Sequence, residues 1–347
     1  MSLSAPAGPL SGHRDRFIDG MRGASALAVM LFHFNAGLYY PEVKFWHGVA
    51  GYGYLGVVVF FVLSGYCIGQ SWLKGAAVGA FFRRRFWRIY PAYLASLGFI
   101  VLCALARKQL GGINDVARLP TRPGQILAVL TLCTRPASAV PTINWVYWSL
   151  TYEVFFYLIM GLTLGVPAVV RRRQTLLGLH LVFCGLSLTG ARLAGTPLFF
   201  VDEWNLFALG IGTCMVSARA REAPWFLAVS AATLAAKIAL GRFAPYDLAA
   251  LVAAFLLLLP HRYFAPGPRH PLVLAGRISY SVYLLHVPIG LFVFMRLVRP
   301  WIADSPGRFA LMQVAGAALV FAAATLSFRF FEKPFLSRRS QPTPIPS

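Results

Sequence analysis

The sequence predicts an all-α polytopic membrane protein of about ten transmembrane helices, with both termini on the cytoplasmic side. Three observations carry that expectation. Hydrophobic residues make up 58% of the chain and charged residues only 12%, about half the ~25% charged share of a soluble domain. The apolar residues gather in runs near the ~20 residues needed to cross a ~30 Å hydrocarbon slab. The 32 Lys and Arg residues, against 11 Asp and Glu, collect between those runs, as topogenic charge does. The net charge of +21 would suggest nucleic acid in a soluble chain. Here it is read as topology and as affinity for anionic membrane lipids, and nucleic acid is not an expected partner.

Residues 1–16 read as a polar, disordered cytoplasmic lead, residues 17–335 as one transmembrane domain and residues 336–347, with their Pro-rich end, as a disordered cytoplasmic tail. Apolar runs fall at 18–40, 49–73, 86–106, 143–166, 175–193, 198–218, 224–241, 244–260, 276–298 and 308–331. The first is too long for a signal-peptide core and is kept as a span. The piece at 124–133 is too short to cross and is read as re-entrant or interfacial. With the N-terminus inside, Arg83–Arg85, Arg88, Arg171–Arg173 and most other basic residues lie at inner helix ends. The exception is the outer segment 107–142, which carries Arg107, Lys108, Arg118, Arg122 and Arg135. Five cysteines stand singly, with no metal-ligand spacing, and no metal is expected.

Polar residues inside apolar runs are the candidates for function. Arg22 and His33 are eleven residues apart, which returns them to within about 20° on one helix face and separates them by roughly 16 Å along the axis. That puts a base at the membrane edge and a titratable ring near mid-depth. A snorkelling arginine and a packed histidine have the same spacing, and both readings stand. In the second run, Gly51, Gly53 and Gly56 allow close helix approach, and Ser64-Gly65 puts a hydroxyl beside a bend. Arg85 and Arg88, at the cytoplasmic start of the third run, suit a diphosphate through their guanidinium forks; plain topogenic charge is the alternative. The fourth run holds Trp148, Ser149 and, one turn on, Glu153 near mid-depth. A carboxyl there costs about 2.5–3.5 kcal/mol and needs a partner, a proton or a cavity. In the ninth run Ser279, Tyr283 and His286 form a polar stripe. Pro288 leaves open that His286 only satisfies a carbonyl freed by a kink. Lys237 reads as a snorkelling end charge, Asp202 and Glu203 as outer residues facing a ligand or water, and His180 as an uninformative histidine near a span end.

Taken in order, these stretches resemble the acyltransferase-3 family of bacterial integral-membrane O-acyltransferases. Arg22 to His33 matches its R-x10-H signature, GYLGVVVFFVLSGY its Gly-rich FFxLSG segment, and RRRFWRIYPAY the Arg-rich start of its third span. WSLTYE at 148–153 is similar to its W-S-L-x-x-E, SYSVYLLH at 279–286 to its S-Y-x-x-Y-x-x-H, and FFEKPF at 330–335 to its closing E-x-P. One departure stands out: Val58 occupies a place where the family usually has an acidic residue.

The resemblance implies acetyl-CoA, or another acyl-CoA, as donor, reached from the cytoplasm, and a carbohydrate or lipid-linked carbohydrate as acceptor. It also implies a stand-alone form in the bacterial inner membrane. It makes His33 and Arg22 the expected catalytic pair, with Arg85, Arg88 and Ser64 toward the donor. Glu153, Ser149, Trp148, His286 and Tyr283 are expected to face the acceptor or orient His33. The alternatives are O-acylation of a small secondary metabolite such as a macrolide and, from another class, a proton-coupled transporter using mid-depth His and Glu groups.

Overall fold

The structure, a computed structural model, describes residues 15–36, 44–109, 119–189, 192–193, 196–197, 199–295, 297 and 305–337. Nearly all of the lead and of the tail expected to be disordered lies outside the described residues. The chain is helical, and a helix falls on each of the ten apolar runs. In order these are α1 (Arg16–Ala36), α2 (Lys44–Gly51), α3 (Leu55–Leu73), α4 (Val78–Gln109), α5 (Pro123–Leu130), α6 (Trp148–Leu164), α7 (Val169–Thr189) and α8 (Phe199–Ser217). There follow α9 (Ala223–Ala239), α10 (Pro245–Leu258), α11 (His261–Phe264), α12 (Pro271–Arg277), α13 (Ser279–Leu285), α14 (Pro306–Ser327) and α15 (Lys333–Ser337). Arg192–Leu193 pairs antiparallel with Thr196–Pro197, the one strand pair among the described residues.

Among the described residues, four segments are long and apolar enough to cross a membrane alone: Lys44–Leu73, Val78–Ala106, Phe199–Ser217 and Pro306–Leu336. A fifth counts if Pro271–Arg277 and Ser279–Leu291, bent by 71°, form one span. The other runs fall short for identifiable reasons. Helix α1 carries Arg16, Asp19 and Arg22 in its first two turns, and α7 opens on Arg171–Arg173. Helices α6 and α9 have 17 residues and α10 only 14. The short apolar piece at 124–133 is the eight-residue α5, whose end at Leu130 leaves it far below spanning length.

The chain divides into two compact units. The first combines Met1–Ser25, Leu55–Val78 and Ser149–Gly276. Its centre is α8, 78% buried along its span. Phe207 of α8 stacks on Phe61 of α3 at 4.5 Å and on Phe156 of α6 at 4.4 Å. Helices α3 and α8 meet backbone to backbone because each offers a glycine. A Cβ on Gly65 would stand 2.0 Å from Phe207 O, and one on Gly210 would stand 2.0 Å from Val62 O. Such small-residue contacts are how helices approach closely in lipid. His180 of α7, read from sequence as uninformative, is fully buried here. Its Nδ1 accepts from Trp204 Nε1 at 3.0 Å and its Nε2 donates to Phe226 O at 3.0 Å. It therefore ties α7, α8 and α9 together, a role that needs three helices and leaves no local pattern. Lys237, read as a snorkelling charge, instead pairs with Asp247 of α10 at 2.6 Å. At the start of α1, Asp15 Oδ1 accepts from Phe17 N (2.9 Å) and Ile18 N (3.4 Å), an N-cap, while its Oδ2 meets His261 Nδ1 at 2.6 Å.

The second unit combines Ala26–Tyr54, Gly79–Trp148 and Arg277–Ser347. In the glycine segment, Gly53 is the close approach, since a Cβ there would stand 2.1 Å from Ala28 O. Gly51 faces open space, which corrects the expectation for that residue. Helix α4 runs through Pro91. Its Tyr93 hydroxyl donates to Val129 O at 2.8 Å, and Ser96 Oγ pairs with Tyr147 Oη at 2.7 Å. The ninth run is not a single straight span. It breaks between Arg277 and Ser279, and α13 passes into a π-helical stretch, His286–Met295. Pro288 lies inside that stretch, where a missing N–H disfavours the regular α ladder. The closing E-x-P motif anchors this region: Ser281 Oγ lies 2.5 Å from Glu332 Oε1 and 2.9 Å from Ser327 Oγ.

Candidate active site

The candidate residues of the second unit centre on two imidazoles. His33 lies in the last turn of α1 and His286 at the junction of α13 with the π-helical stretch. Each ring folds back on its own helix. His33 Nδ1 is 2.9 Å from Val29 O, four residues earlier, and His286 Nδ1 is 3.2 Å from Val282 O, also four residues earlier. A carbonyl only accepts, so both rings carry their proton on Nδ1. His286 Nε2 lies 3.1 Å from His33 Nδ1. It is therefore a bare acceptor that shares the His33 Nδ1–H with Val29 O, a bifurcated bond. The consequence for His33 is specific: its Nε2 keeps a lone pair. The reading of His286 as a partner for a backbone group freed by Pro288 stands beside a site role. The ring meets Val282 O and also the backbone of Tyr283, the residue five positions before Pro288, whose carbonyl a π-helical ladder leaves without that N–H.

The walls of this pair are aromatic. The ring centroids of Trp145 and His33 are 6.2 Å apart, Phe32 meets His33 edge-on at 5.0 Å, and Tyr283 lies 5.7 Å from His286. His286 is 1% exposed, while His33 is only part-buried and keeps an open side. Tyr283 Oη donates to Val146 O at 2.7 Å, so its hydroxyl positions the 3-10 turn Trp145–Tyr147 rather than standing free. Trp145 was missed in the sequence. Its neighbour Trp148, expected at the acceptor, is 37% exposed at the start of α6. In the same unit Arg85 and Arg88 lie one turn apart on α4, and the Arg85 guanidinium sits 5.4 Å from the Phe81 ring centroid.

In the first unit, Glu153 and Ser64 are brought together across α3 and α6. Ser64 Oγ donates to Glu153 Oε1 at 3.0 Å, and Tyr157 Oη, one turn along α6, donates to the same oxygen. This half-buried carboxyl thus receives two hydroxyl donors. Ser149, one turn before Glu153, is 6% exposed. Arg22 lies 3.8 Å from Asp19 and donates to Cys67 Sγ at 3.3 Å. Both contacts hold its guanidinium along α1 and toward α3.

The acyltransferase-domain family matches residues 15–329, and the chain belongs to this family, acyltransferase-3. It is therefore a membrane acyltransferase rather than a carrier. Among curated proteins, Nodulation protein 10 of Rhizobium leguminosarum bv. viciae is 25% identical over 95% of this chain and 95% of its own length. The O-acetyl transferase of Shigella phage Sf6 is 24% identical over 94% of this chain and 98% of its own length. The acyltransferase MdmB of Streptomyces mycarofaciens is 29% identical over a shorter stretch, 41% of this chain and 37% of its own. No solved structure matches the chain.

Proposed function

We propose that this acyltransferase moves an acetyl or other short acyl group from an acyl-CoA to a hydroxyl of a cell-surface or exported carbohydrate, free or lipid-linked. It would act as a multi-pass protein of the bacterial inner membrane with both termini cytoplasmic. The observation that supports this most is the bare Nε2 of His33, left by a Nδ1–H held between Val29 O and His286 Nε2.

An alcohol is a weak nucleophile and needs its proton removed as it attacks. His33 Nε2 takes the acceptor hydroxyl proton while the oxygen bonds to the thioester carbon. The tetrahedral intermediate collapses, the carbon–sulfur bond breaks, and the proton on Nε2 passes to the leaving CoA thiolate. His286 is the positioning residue. It holds the His33 tautomer and accepts from the Nδ1–H of the imidazolium that forms, as a triad's third member does. Arg22 offsets negative charge on the donor, Arg85 and Arg88 hold the nucleotide phosphates, and Ser64 lines the donor side. Glu153, Ser149 and Trp148 are the residues assigned to the acceptor, and Tyr283 sets the turn that carries Trp145.

Mass spectrometry of surface glycans, from cells with and without the chain, tests the reaction. An ester mass that depends on the chain is expected. His33→Gln, expressed at normal membrane levels, should lower transfer by about 10²–10⁴. A variant that keeps wild-type transfer removes His33 from the chemistry.

A further inference from the structure

In the second unit, the 3-10 turn Trp145–Tyr147 presents one of its three side chains outward. Val146 and Tyr147 are each 1% exposed, while Trp145 is 50% exposed. The turn itself is held at several points. Asn144 Oδ1 accepts from Val146 N at 3.4 Å, Tyr147 N donates to Asn144 O at 3.0 Å, and Tyr147 Oη pairs with Ser96 Oγ at 2.7 Å. Tyr283 Oη donates to Val146 O at 2.7 Å, which ties the turn to α13, the helix that leads into His286. An indole on so constrained a turn is already in place when a ligand arrives, so little ordering is left to do on binding. That place is beside the proposed base. The Trp145 ring centroid lies 6.2 Å from that of His33, with 30° between the ring planes.

The position of the base decides what meets this ring. A hydroxyl that gives its proton to His33 Nε2 lies about 2.6–3.2 Å from it, so the carbon skeleton carrying that hydroxyl comes within reach of the neighbouring indole. The donor nucleotide is assigned to Arg85 and Arg88 at the cytoplasmic start of α4, whereas in the proposed topology Trp145 stands at the outer end of α6, where the acceptor arrives. A saturated sugar ring has a C–H face and a rim of hydroxyls. The negative face of an indole takes the C–H side and leaves the rim to hydrogen bonds. Trp148, 37% exposed, lies three residues on, and its N–H donates to Trp145 O. Side chains so spaced on a 3-10 turn eclipse, so the two indoles project on one side. We propose that Trp145 selects a ring-shaped acceptor: its indole stacks on the C–H face of the sugar whose hydroxyl is deprotonated at His33, with Trp148 extending the same platform. The inference rests on the carbohydrate-acceptor reading.

The test uses the full chain in lipid nanodiscs. The acceptor is surface glycan from cells that carry the chain, freed of its O-esters by mild alkali, and the donor is the acyl-CoA whose acyl group those esters held. Initial rates of re-esterification give a KM for each substrate. Trp145→Ala should raise the acceptor KM about tenfold and the donor KM by less than about twofold. Trp145→Phe keeps a ring face and should stay within about threefold of the wild type, whereas Trp145→Leu, apolar but faceless, should behave as Trp145→Ala does. Thermal unfolding checks that each variant is folded, and the Phe and Leu variants carry the comparison where the alanine variant is not. The proposal is overturned if the acceptor KM of the folded variants is that of the wild type, if Leu serves as well as Phe, or if the donor KM rises in step. It is also overturned if only unfolding temperature or membrane yield changes, as for a tryptophan that merely anchors the chain at the interface. The two readings fail distinguishably. Re-esterified glycan with an acceptor KM indifferent to Trp145 sinks the platform alone. Cells whose glycan carries no ester that depends on the chain sink the acceptor reading, and the platform with it.

Discussion

At residue scale, the two histidines show how little of a tertiary contact is visible as spacing. His33 and His286 are 253 positions apart, yet their near nitrogens lie 3.1 Å apart. Because His286 only accepts from His33, its removal should be graded. His286→Asn, which can still accept, should retain more transfer than His286→Leu, which should lower kcat by about 10–100-fold with little change in donor KM. Equal kcat values in the two variants would reduce His286 to packing. A second residue-scale prediction concerns Asp15. Burial raises its pKa, but the His261 hydrogen bond and charge and the N–H groups of Ile18 and Phe17 outweigh that and hold it below the ordinary 3.8. A depressed carboxyl stabilises the fold above its unfolded value and stops doing so as pH falls through the folded one. Asp15→Asn keeps an oxygen for the N-cap but removes the charge that faces His261 and the helix N-terminus, so it should cost about 0.3–1 kcal/mol near neutrality, and the gap from wild type should close below about pH 4. Unfolding midpoints across pH 3–7 in detergent measure it.

At the scale of elements, helix junctions in the first unit rest on two devices. One is the contact of Gly65 with Phe207 O and of Gly210 with Val62 O. Gly210→Ala would drive a methyl to 2.0 Å from a backbone carbonyl, which cannot move without parting α3 from α8. Loss of folded protein is expected, read as aggregation in fluorescence-detected size exclusion. The other is the Lys237–Asp247 pair between α9 and α10, with Asp247 2% exposed at its side chain. Lys237→Met leaves that carboxylate buried and alone and should cost about 3–5 kcal/mol, whereas Lys237→Met with Asp247→Leu should recover most of it. Equal losses in the single and double variants would make the pair incidental.

At the scale of the whole molecule, membrane residence follows from hydropathy, and the orientation proposed above rests on the distribution of charge. Reporter fusions test the orientation: a green fluorescent protein at the C-terminus should fluoresce, and alkaline phosphatase there should stay inactive. The reverse pattern would invert every assignment of inner and outer ends.

Much was legible in the sequence. The all-helical class, the membrane setting and a helix on each of ten runs follow from hydropathy, which acts locally and is written residue by residue. The family followed from six short motifs in order. What the sequence could not carry is rotation and pairing. Spacing placed Arg22 and His33 on one face, but it did not say that His33 would share its proton with His286. Glu153 was visible as a costly mid-depth carboxyl, but its satisfaction by Ser64 and Tyr157 was not. His180 looked idle because its partners lie on two other helices. Lys237 looked like an end charge because Asp247, ten residues on, belongs to the next helix. Each of these depends on which helix faces which. That is decided by tertiary packing, where glycines let backbones touch and buried polar atoms find the partners that lipid does not offer.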